Sequence, residues 1–340
     1  MGLWCASRGA LSAAGLLLFK GARSVTRVRG VPVRACSGDS SHSPPVCHQL
    51  PHRALLRLHG ADTRAFLQGL VTNDVTLLSE RAALYAHLLN VQGRTLYDVI
   101  LYRFSESDGG DGVYLECDAT MTDSLVKHLK TFKIRRKVSI SPCPEVSVWA
   151  VLCSQSKPEL TSPDQAVAWE PDPRTALMGR RLLLHRDVRP SGLIPSCQED
   201  DTEKYHMQRY SLGVPEGVRD LPPGVALPLE SNLVYLQGIS FSKGCYIGQE
   251  LTARTHHTGV VRKRLMPVRL SSALQDSEDG AALQTVSGKP AGKHRASMGR
   301  LGLSLVRTAH AKETLTLQSS DGVAVTLEAS VPPWWPREDS

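Results

Sequence analysis

The amino-acid sequence predicts an α+β protein that ends in a small all-β module. Between residues 50 and 255 of the 340-residue chain, strand-like runs alternate with amphipathic helices of about two to four turns. After Gly259 only strand-like runs remain, and Asp321-Gly322 is a typical hairpin turn between two of them. The first pattern indicates helices on an antiparallel sheet, and the second indicates a β-barrel or a β-sandwich.

Alternating apolar residues and two capped helices define the first half of the chain. Asp62 is a suitable N-cap for a helix that carries apolar residues at positions 66, 67, 70 and 71. Asp118 is a suitable N-cap for a second helix, with an apolar stripe at 121, 125, 129 and 132. The expected strands lie at 54–58, 82–89, 95–104, 113–117, 137–140 and 146–152.

The second half begins with a polar stretch at 154–174 that holds four prolines, so we expect a surface loop there. A strand at 176–184 and a helix at 202–212, closed by Gly213, follow. The expected strands of the all-β module lie at 260–270, 298–306, 313–318 and 323–329. We expect an exposed basic loop at Lys289, Lys293, His294 and Arg295.

The segment Lys243-Gly244-Cys245-Tyr246-Ile247-Gly248-Gln249-Glu250 places one cysteine between two glycines, with a lysine two residues before it. Thiolate is the reactive form of cysteine, and a nearby cation lowers the thiol pKa. Gly244 and Gly248 allow backbone angles that other residues avoid, and a short helix is expected from Gln249 to Arg254. The alternative is a turn that contains a half-buried cysteine without a function.

The eight cysteines show no Cys-x-x-Cys pair, which argues against a self-contained zinc or iron–sulfur site. They are also too sparse for a disulfide scaffold, so a reducing compartment fits best. A Cys245 nucleophile would need a base such as His256 or His257, which leaves a Cys-His hydrolase open. A thiolate is also a good ligand for an iron–sulfur cluster, and a single cysteine would share that cluster with a partner.

The positive charge of the chain is concentrated in its first 38 residues. They hold six of the basic residues and no Asp or Glu, so a net charge of +7 falls to +1 without them. The near-neutral remainder argues against a nucleic-acid or membrane-surface partner, and no apolar run is long enough to span a bilayer. An Arg-rich, acid-free leader is typical of a mitochondrial presequence; secretion is the alternative. We therefore expect a presequence at 1–38, a linker at 39–49, an α+β domain at 50–255 and a β-module at 256–335.

Three segments together resemble one known family. They are residues 243–250, the stretch Pro228-Leu229-Glu230-Ser231-Asn232-Leu233, and the stretch 66–75, which ends in Thr72-Asn73-Asp74-Val75. Their combination is similar to the YgfZ-type branch of the aminomethyltransferase-like (GcvT-like), tetrahydrofolate-binding proteins. The resemblance covers about residues 50–335. It implies ferredoxin-like subdomains around a central folate cavity, followed by a C-terminal β-barrel.

The resemblance also implies site residues. Within the motif these are Gly244, Cys245, Tyr246, Gly248, Gln249 and Glu250, with Lys243 supporting the thiolate. Asn73, Asp98, Glu230, Arg209 and Arg254 are the candidate folate residues. The transferases carry an Arg-Leu-Glu-Ala-Gly segment whose acid holds the pterin, and Arg209-Tyr210-Ser211-Leu212-Gly213 lacks that acid. The departure implies weak folate binding and speaks against transferase chemistry.

Leader, cysteine and resemblance together lead to one functional hypothesis. We expect a monomeric mitochondrial-matrix protein that assists 4Fe–4S assembly on client proteins with A-type carriers. In this hypothesis Cys245 ligates a transient cluster shared with the partner. The alternative is a tetrahydrofolate-dependent one-carbon transferase.

Overall fold

The computed structural model describes residues 44–105, 111–153, 158–274, 280–319 and 322–336. All of them belong to one compact unit, His42–Ser340. The expected presequence and Asp321 of the expected turn lie outside the described ranges. The boundary proposed between residues 255 and 256 stays a prediction.

Strands and helices of the described residues are numbered in chain order. The strands are β1 Val46–Gln49, β2 Arg53–His59, β3 Ala83–Leu89, β4 Thr95–Ser105, β5 Asp111–Asp118, β6 Ser139–Pro142, β7 Val146–Leu152, β8 Ala166–Pro171, β9 Arg180–His185, β10 Gln198–Asp200, β11 Lys263–Leu270, β12 Ala282–Thr285, β13 Pro290–Met298, β14 Leu301–Arg307, β15 Leu315–Gln318 and β16 Ala324–Ala329. The helices are α1 Thr63–Gln68, α2 Thr122–Phe132, α3 Thr202–Leu212, α4 Gly217–Asp220 and α5 Gln249–Thr258.

Two five-stranded sheets and a closed barrel make up the fold. The first sheet has the order β3-β4-β5-β2-β6, with every pair antiparallel. Without the edge strand β3, this is the strand order of a ferredoxin-like unit, and α1 and α2 pack on one face of it. The second sheet has the order β10-β1-β7-β9-β8, and the barrel runs β11-β14-β13-β12-β15-β16. The predicted α+β class and the C-terminal barrel are thus confirmed.

The cores follow the apolar patterns of the sequence. Leu125 and Leu129 of α2 are fully buried against the first sheet, as the stripe on that helix predicts. The opposite face of the first sheet packs on the second sheet through Tyr102 and Val148. The barrel has its own core around Val268.

Several predicted segments were wrong. Residues 46–49 of the expected linker form β1, which pairs with β7 and β10. The expected loop at 154–174 contains β8, and the expected strand at 176–184 begins only at Arg180, because Gly179 turns the chain with a φ of +66°. The basic loop is largely strand β13, where His294 and Arg295 are buried. The sequences of these strands do not alternate between apolar and polar residues. Their extended backbones are held by hydrogen bonds to neighbouring strands of the sheet.

Candidate functional site

Cys245 lies in the loop that precedes α5 and is exposed. It is the exposed one among the six cysteines of the described residues; Cys47, Cys117 and Cys143 are buried. Burial raises the pKa of Cys117 and of Cys143 to about 12, which keeps both as neutral thiols near neutral pH. Accessibility therefore singles out Cys245 as the thiol that a partner could reach.

Lys243 holds the motif loop onto the end of α1. Its ammonium donates to the carbonyl oxygens of Gln68, Val71 and Asn73 at 2.7, 2.7 and 2.8 Å. Burial lowers the pKa of Lys243 to about 8, against the opposing influence of Asp74. All three N–H groups are occupied, so Lys243 fixes the loop that carries Cys245 and donates no hydrogen bond to its sulfur.

Replacing Lys243 with methionine is expected to destabilise the protein by about 3 kcal/mol, because three carbonyl groups lose their donor. Chemical denaturation of the variant and the wild-type chain measures the difference. Lys204→Met is the matched control; its ammonium pairs with Asp200 at 2.8 Å on the surface, and little change is expected there. Equal stability of both variants would contradict the anchoring role of Lys243.

Two glycines bring the motif against the hairpin between β3 and β4. Gly248 has a φ of +78°, and a Cβ there would lie 2.2 Å from the carbonyl oxygen of Asn90. Gly93 has a φ of +77°, and a Cβ there would lie 2.9 Å from the Gly248 carbonyl oxygen. Gly248 is therefore required for both backbone angle and space. Gly244 differs from the expectation, since it has no positive φ and open space around it.

The remaining motif residues shape the start of α5. The Gln249 side chain accepts a hydrogen bond from the Tyr246 backbone N–H at 3.1 Å. Tyr246 is buried, which raises its pKa to about 12, and its ring lies 5.0 Å from the Lys243 ammonium. Glu250 is exposed in the first turn of α5, where a carboxylate is favoured by the helix dipole.

The histidines of α5 are placed for stacking. The His256 ring lies parallel to Phe241, with centroids 3.6 Å apart, and the ring of His257 meets both at an angle. Within the described ranges, no group of three or more His, Cys, Asp or Glu side chains is arranged to hold a metal ion. On its own, Cys245 thus offers one ligand at an open surface.

The candidate folate residues Asp98 and Asn73 are buried and already bonded. The Asp98 carboxylate accepts hydrogen bonds from Arg53 at 3.2 Å and from the Gly217 backbone N–H at 3.2 Å. The Asn73 side-chain amide donates to the carbonyl oxygens of Tyr85 and Gln237, both at 2.8 Å. Both side chains thus have internal partners, and a role of either residue in folate binding stays a prediction.

The other three candidates have different surroundings. Arg209 is buried and donates a hydrogen bond to Asp220, the last residue of α4. Glu230 is partly buried and lines a separate cavity, and Arg254 is exposed on α5. Arg264 of β11 stacks on Tyr235. A folate site made by these five residues therefore stays a prediction.

A buried charge network occupies the place where the two sheets meet α3 and α4. At its centre, Glu216 accepts hydrogen bonds from Arg181 at 2.6 Å, Arg174 at 2.8 Å and Tyr205 at 2.7 Å. Its other oxygen lies 2.8 Å from the ring of His52. Sequence reasoning missed this network. The only available signal was the occurrence of single charged residues inside otherwise apolar strands, as at Arg181.

The network extends through further buried charges. Arg53 donates to Glu116 at 2.8 Å, and Tyr102 donates to the same carboxylate at 2.6 Å. Arg174 also donates to Asp172 at 2.8 Å. Burial disfavours a charged Glu216, but Arg181, Arg174 and the His52 hydrogen bond outweigh it and hold the pKa of Glu216 well below its ordinary value. The centre of the fold therefore holds a charged Glu216 among buried arginines.

Comparison with known proteins supports a single family. Residues 262–337 match the family model described as the CAF17 C-terminal β-barrel domain. The chain is 51% identical over 306 residues to the human protein "Iron-sulfur cluster assembly factor IBA57, mitochondrial", covering 85% of each chain. The mouse protein of the same name is 50% identical, again covering 85% of each. These names confirm the mitochondrial address expected from the leader.

More distant matches agree. The Phaeosphaeria nodorum protein "Iron-sulfur cluster assembly factor IBA57 homolog, mitochondrial" is 36% identical over 294 residues, covering 76% of this chain and 69% of that protein. The structure of glycine cleavage system aminomethyltransferase T from Bartonella henselae superposes with a TM-score of 0.65 at 14% identity, covering 86% of this chain and 87% of that one. At this identity, the similarity to the aminomethyltransferase establishes a shared fold and no more. No described helix is both long and apolar enough to cross a bilayer. The chain belongs to the family of the mitochondrial iron–sulfur cluster assembly factor IBA57.

Proposed function

We propose that this chain supports the maturation of 4Fe–4S proteins by lending the Cys245 thiolate to a cluster that a carrier protein holds. The observation that carries the proposal is the exposure of Cys245 in a loop that Lys243 and Gly248 fix in place. A thiolate is a preferred ligand of iron–sulfur clusters. One thiolate is too few for a cluster, so the remaining ligands come from the partner.

The partner in this proposal is an A-type carrier of the mitochondrial matrix. The cluster is cargo that passes through the shared complex toward a client protein. A fixed loop favours this role because the thiol is already placed when the carrier arrives, and less conformational entropy is lost on binding. The motif thus serves as a presented ligand and needs no general base from His256 or His257.

Anaerobic mixing of the purified chain with a cluster-loaded A-type carrier tests the proposal. We expect a coloured 1:1 complex in size-exclusion chromatography, with iron eluting at the position of the complex. Visible absorption and iron-to-protein stoichiometry of that fraction measure the cluster. Iron that elutes only with the free carrier would contradict a shared cluster.

Folate has a lesser place in this proposal. The fold is of the aminomethyltransferase type, but the side chains of Asp98, Asn73 and Arg209 form hydrogen bonds within the protein. A pterin that replaced these internal bonds would have to break buried ion pairs, which is costly in free energy. These internal bonds disfavour the one-carbon transferase, which stays the alternative function.

Calorimetric titration with tetrahydrofolate is expected to show affinity no tighter than micromolar. Glu230→Gln is expected to leave any heat unchanged, because Glu230 lines a cavity of about 280 Å³ to which Asn73, Asp98 and Arg209 do not contribute. Nanomolar affinity accompanied by one-carbon turnover would restore the transferase function.

A further inference from the structure

Helix α2 and the turn after it carry a local concentration of positive charge. The near-neutral net charge of residues 39–340 hides this concentration, because it is a sum over the whole body of the protein. Residues 124–144 contain no Asp or Glu and six cationic side chains, which are Lys127, Lys130, Lys133, Arg135, Arg136 and Lys137. None of the six forms an ion pair with another described residue, and all except the partly buried Lys133 are exposed. Clustered cations attract an anionic surface much more strongly than one isolated cation does.

Two apolar side chains are exposed among these cations. Ile134 is 76% exposed and lies between Lys133 and Arg135 in the sequence. Phe132, the last residue of α2, is 39% exposed, and its ring packs against His128 with centroids 5.1 Å apart. Apolar side chains at the centre of a charged surface are favourable only when a partner removes them from water. The combination therefore indicates a partner that has both an anionic layer and an apolar layer.

The backbone holds Ile134 in this exposed position. Residues 133–136 form a turn, closed by a 3.3 Å hydrogen bond from the backbone N–H of its last residue to the carbonyl oxygen of its first. Arg135 has a φ of +57°, a conformation that costs free energy for any residue other than glycine. At the base of the turn, the Lys137 backbone N–H donates to the Asp62 carboxylate at 2.7 Å. A strained turn with an anchored base thus presents the isoleucine to its surroundings.

We propose that the segment 127–137 docks the protein on an anionic phospholipid bilayer. Its cations lie at the headgroup phosphates, and Ile134 enters the boundary between headgroups and acyl chains. RNA has the same sign of charge but no apolar layer that would receive Ile134, so the exposed isoleucine favours the bilayer.

The proposed bilayer contact and the motif loop are attached to opposite ends of α1. Asp62, directly before α1, holds the base of the basic turn, whereas Gln68, the last residue of α1, accepts a hydrogen bond from Lys243. A chain docked through the basic turn is therefore expected to keep Cys245 open to a carrier protein.

Co-sedimentation of the full chain with lipid vesicles tests the proposal. We expect binding to vesicles of phosphatidylcholine and phosphatidylglycerol that weakens as salt is added, and much weaker binding to phosphatidylcholine alone. The basic leader is common to all variants, so the ratio of their affinities reports on the turn. Lys127→Gln and Arg136→Gln should each weaken binding about fivefold, the value of one charge near such a surface. Ile134→Asn should weaken it about tenfold through the lost apolar contact.

Three variants act as controls and should bind vesicles as the wild type does. Lys312→Gln removes an exposed cation in the turn before β15. Val331→Asn replaces an apolar side chain that is 64% exposed outside the basic segment. Cys245→Ser separates bilayer docking from cluster binding, because it removes the proposed cluster ligand and leaves the basic segment intact.

Three results would overturn the proposal. The first is vesicle binding that both Ile134→Asn and the double variant Lys127→Gln/Arg136→Gln leave unchanged. The second is equal binding to neutral and anionic vesicles. The third is binding of a mixed-sequence RNA that the cation variants weaken, together with vesicle binding that Ile134→Asn leaves unchanged; this result would identify nucleic acid as the partner.

Discussion

Cys245→Ser is expected to fold normally and to abolish the cluster-bridged complex with the carrier. The thiol is exposed, so exchanging sulfur for oxygen should change the free energy of unfolding by no more than about 0.5 kcal/mol. A serine hydroxyl stays protonated and is a poor ligand for iron. Changes beyond the ligands themselves already cost about 10–100-fold in metal affinity, so losing a ligand should cost at least that.

The measurement is iron in the complex fraction, together with restored activity of a 4Fe–4S enzyme in cells depleted of the native factor. Cys153→Ser is the matched control, because that thiol is partly exposed and lies at the end of β7, outside the motif. It should retain both iron and activity. A Cys245→Ser protein that still carries iron with its partner and still restores the enzyme would refute the role of this thiol.

Glu216→Gln is expected to destabilise the protein by about 3–5 kcal/mol, because it leaves Arg174 and Arg181 buried without their shared carboxylate. For a unit of this size, the melting temperature should fall by on the order of 10 °C. Scanning calorimetry measures the change. Glu199→Gln is the control; its carboxylate meets Arg189 at 3.5 Å on the surface, and its loss should cost less than about 1 kcal/mol.

The same variant should alter the acid limb of the stability curve. Because the pKa of Glu216 is held well below its ordinary value of 4.5, the folded state keeps this group charged where the unfolded state already binds a proton. The stabilisation from Glu216 is thus fully present above pH 4.5 and is lost as the pH falls through the lowered pKa. Glu216→Gln should lose stability less steeply below pH 4.5 than the wild type. Parallel curves would contradict a charged Glu216 at the centre of the network.

Much of this architecture follows from local patterns in the sequence. The stripe on α2 predicted its buried face, and Gly213 predicted the left-handed end of α3, where φ is +75°. The continuous apolar run of β4 and the alternating residues of β16 identified both as strands. These signals are readable because they depend on neighbours three or four residues away along a helix, or two away along a strand. The motif around Cys245 was likewise recognised from eight consecutive residues.

The tertiary structure decided what those patterns could not. β1, β8 and β13 are strands because neighbouring strands bind their backbones, although their own residues show no alternation. Lys243 proved to be an anchor because the carbonyl groups it binds lie about 170 residues earlier in the chain. Asp98 of β4 proved to be an ion-pair partner of Arg53, which lies in β2 and is also distant in the sequence.

The family was therefore determined by sequence alone, and the sequence also singled out Cys245, because both signals reside in contiguous residues. The tertiary structure was needed to show three features. These are the exposure of Cys245, the internal hydrogen bonds of Asp98 and Asn73, and the network around Glu216. Burial and charge pairing arise from residues that are distant in the chain and adjacent in space. A charged side chain has the same letter whether water or an opposite charge surrounds it, and only the packed structure distinguishes the two.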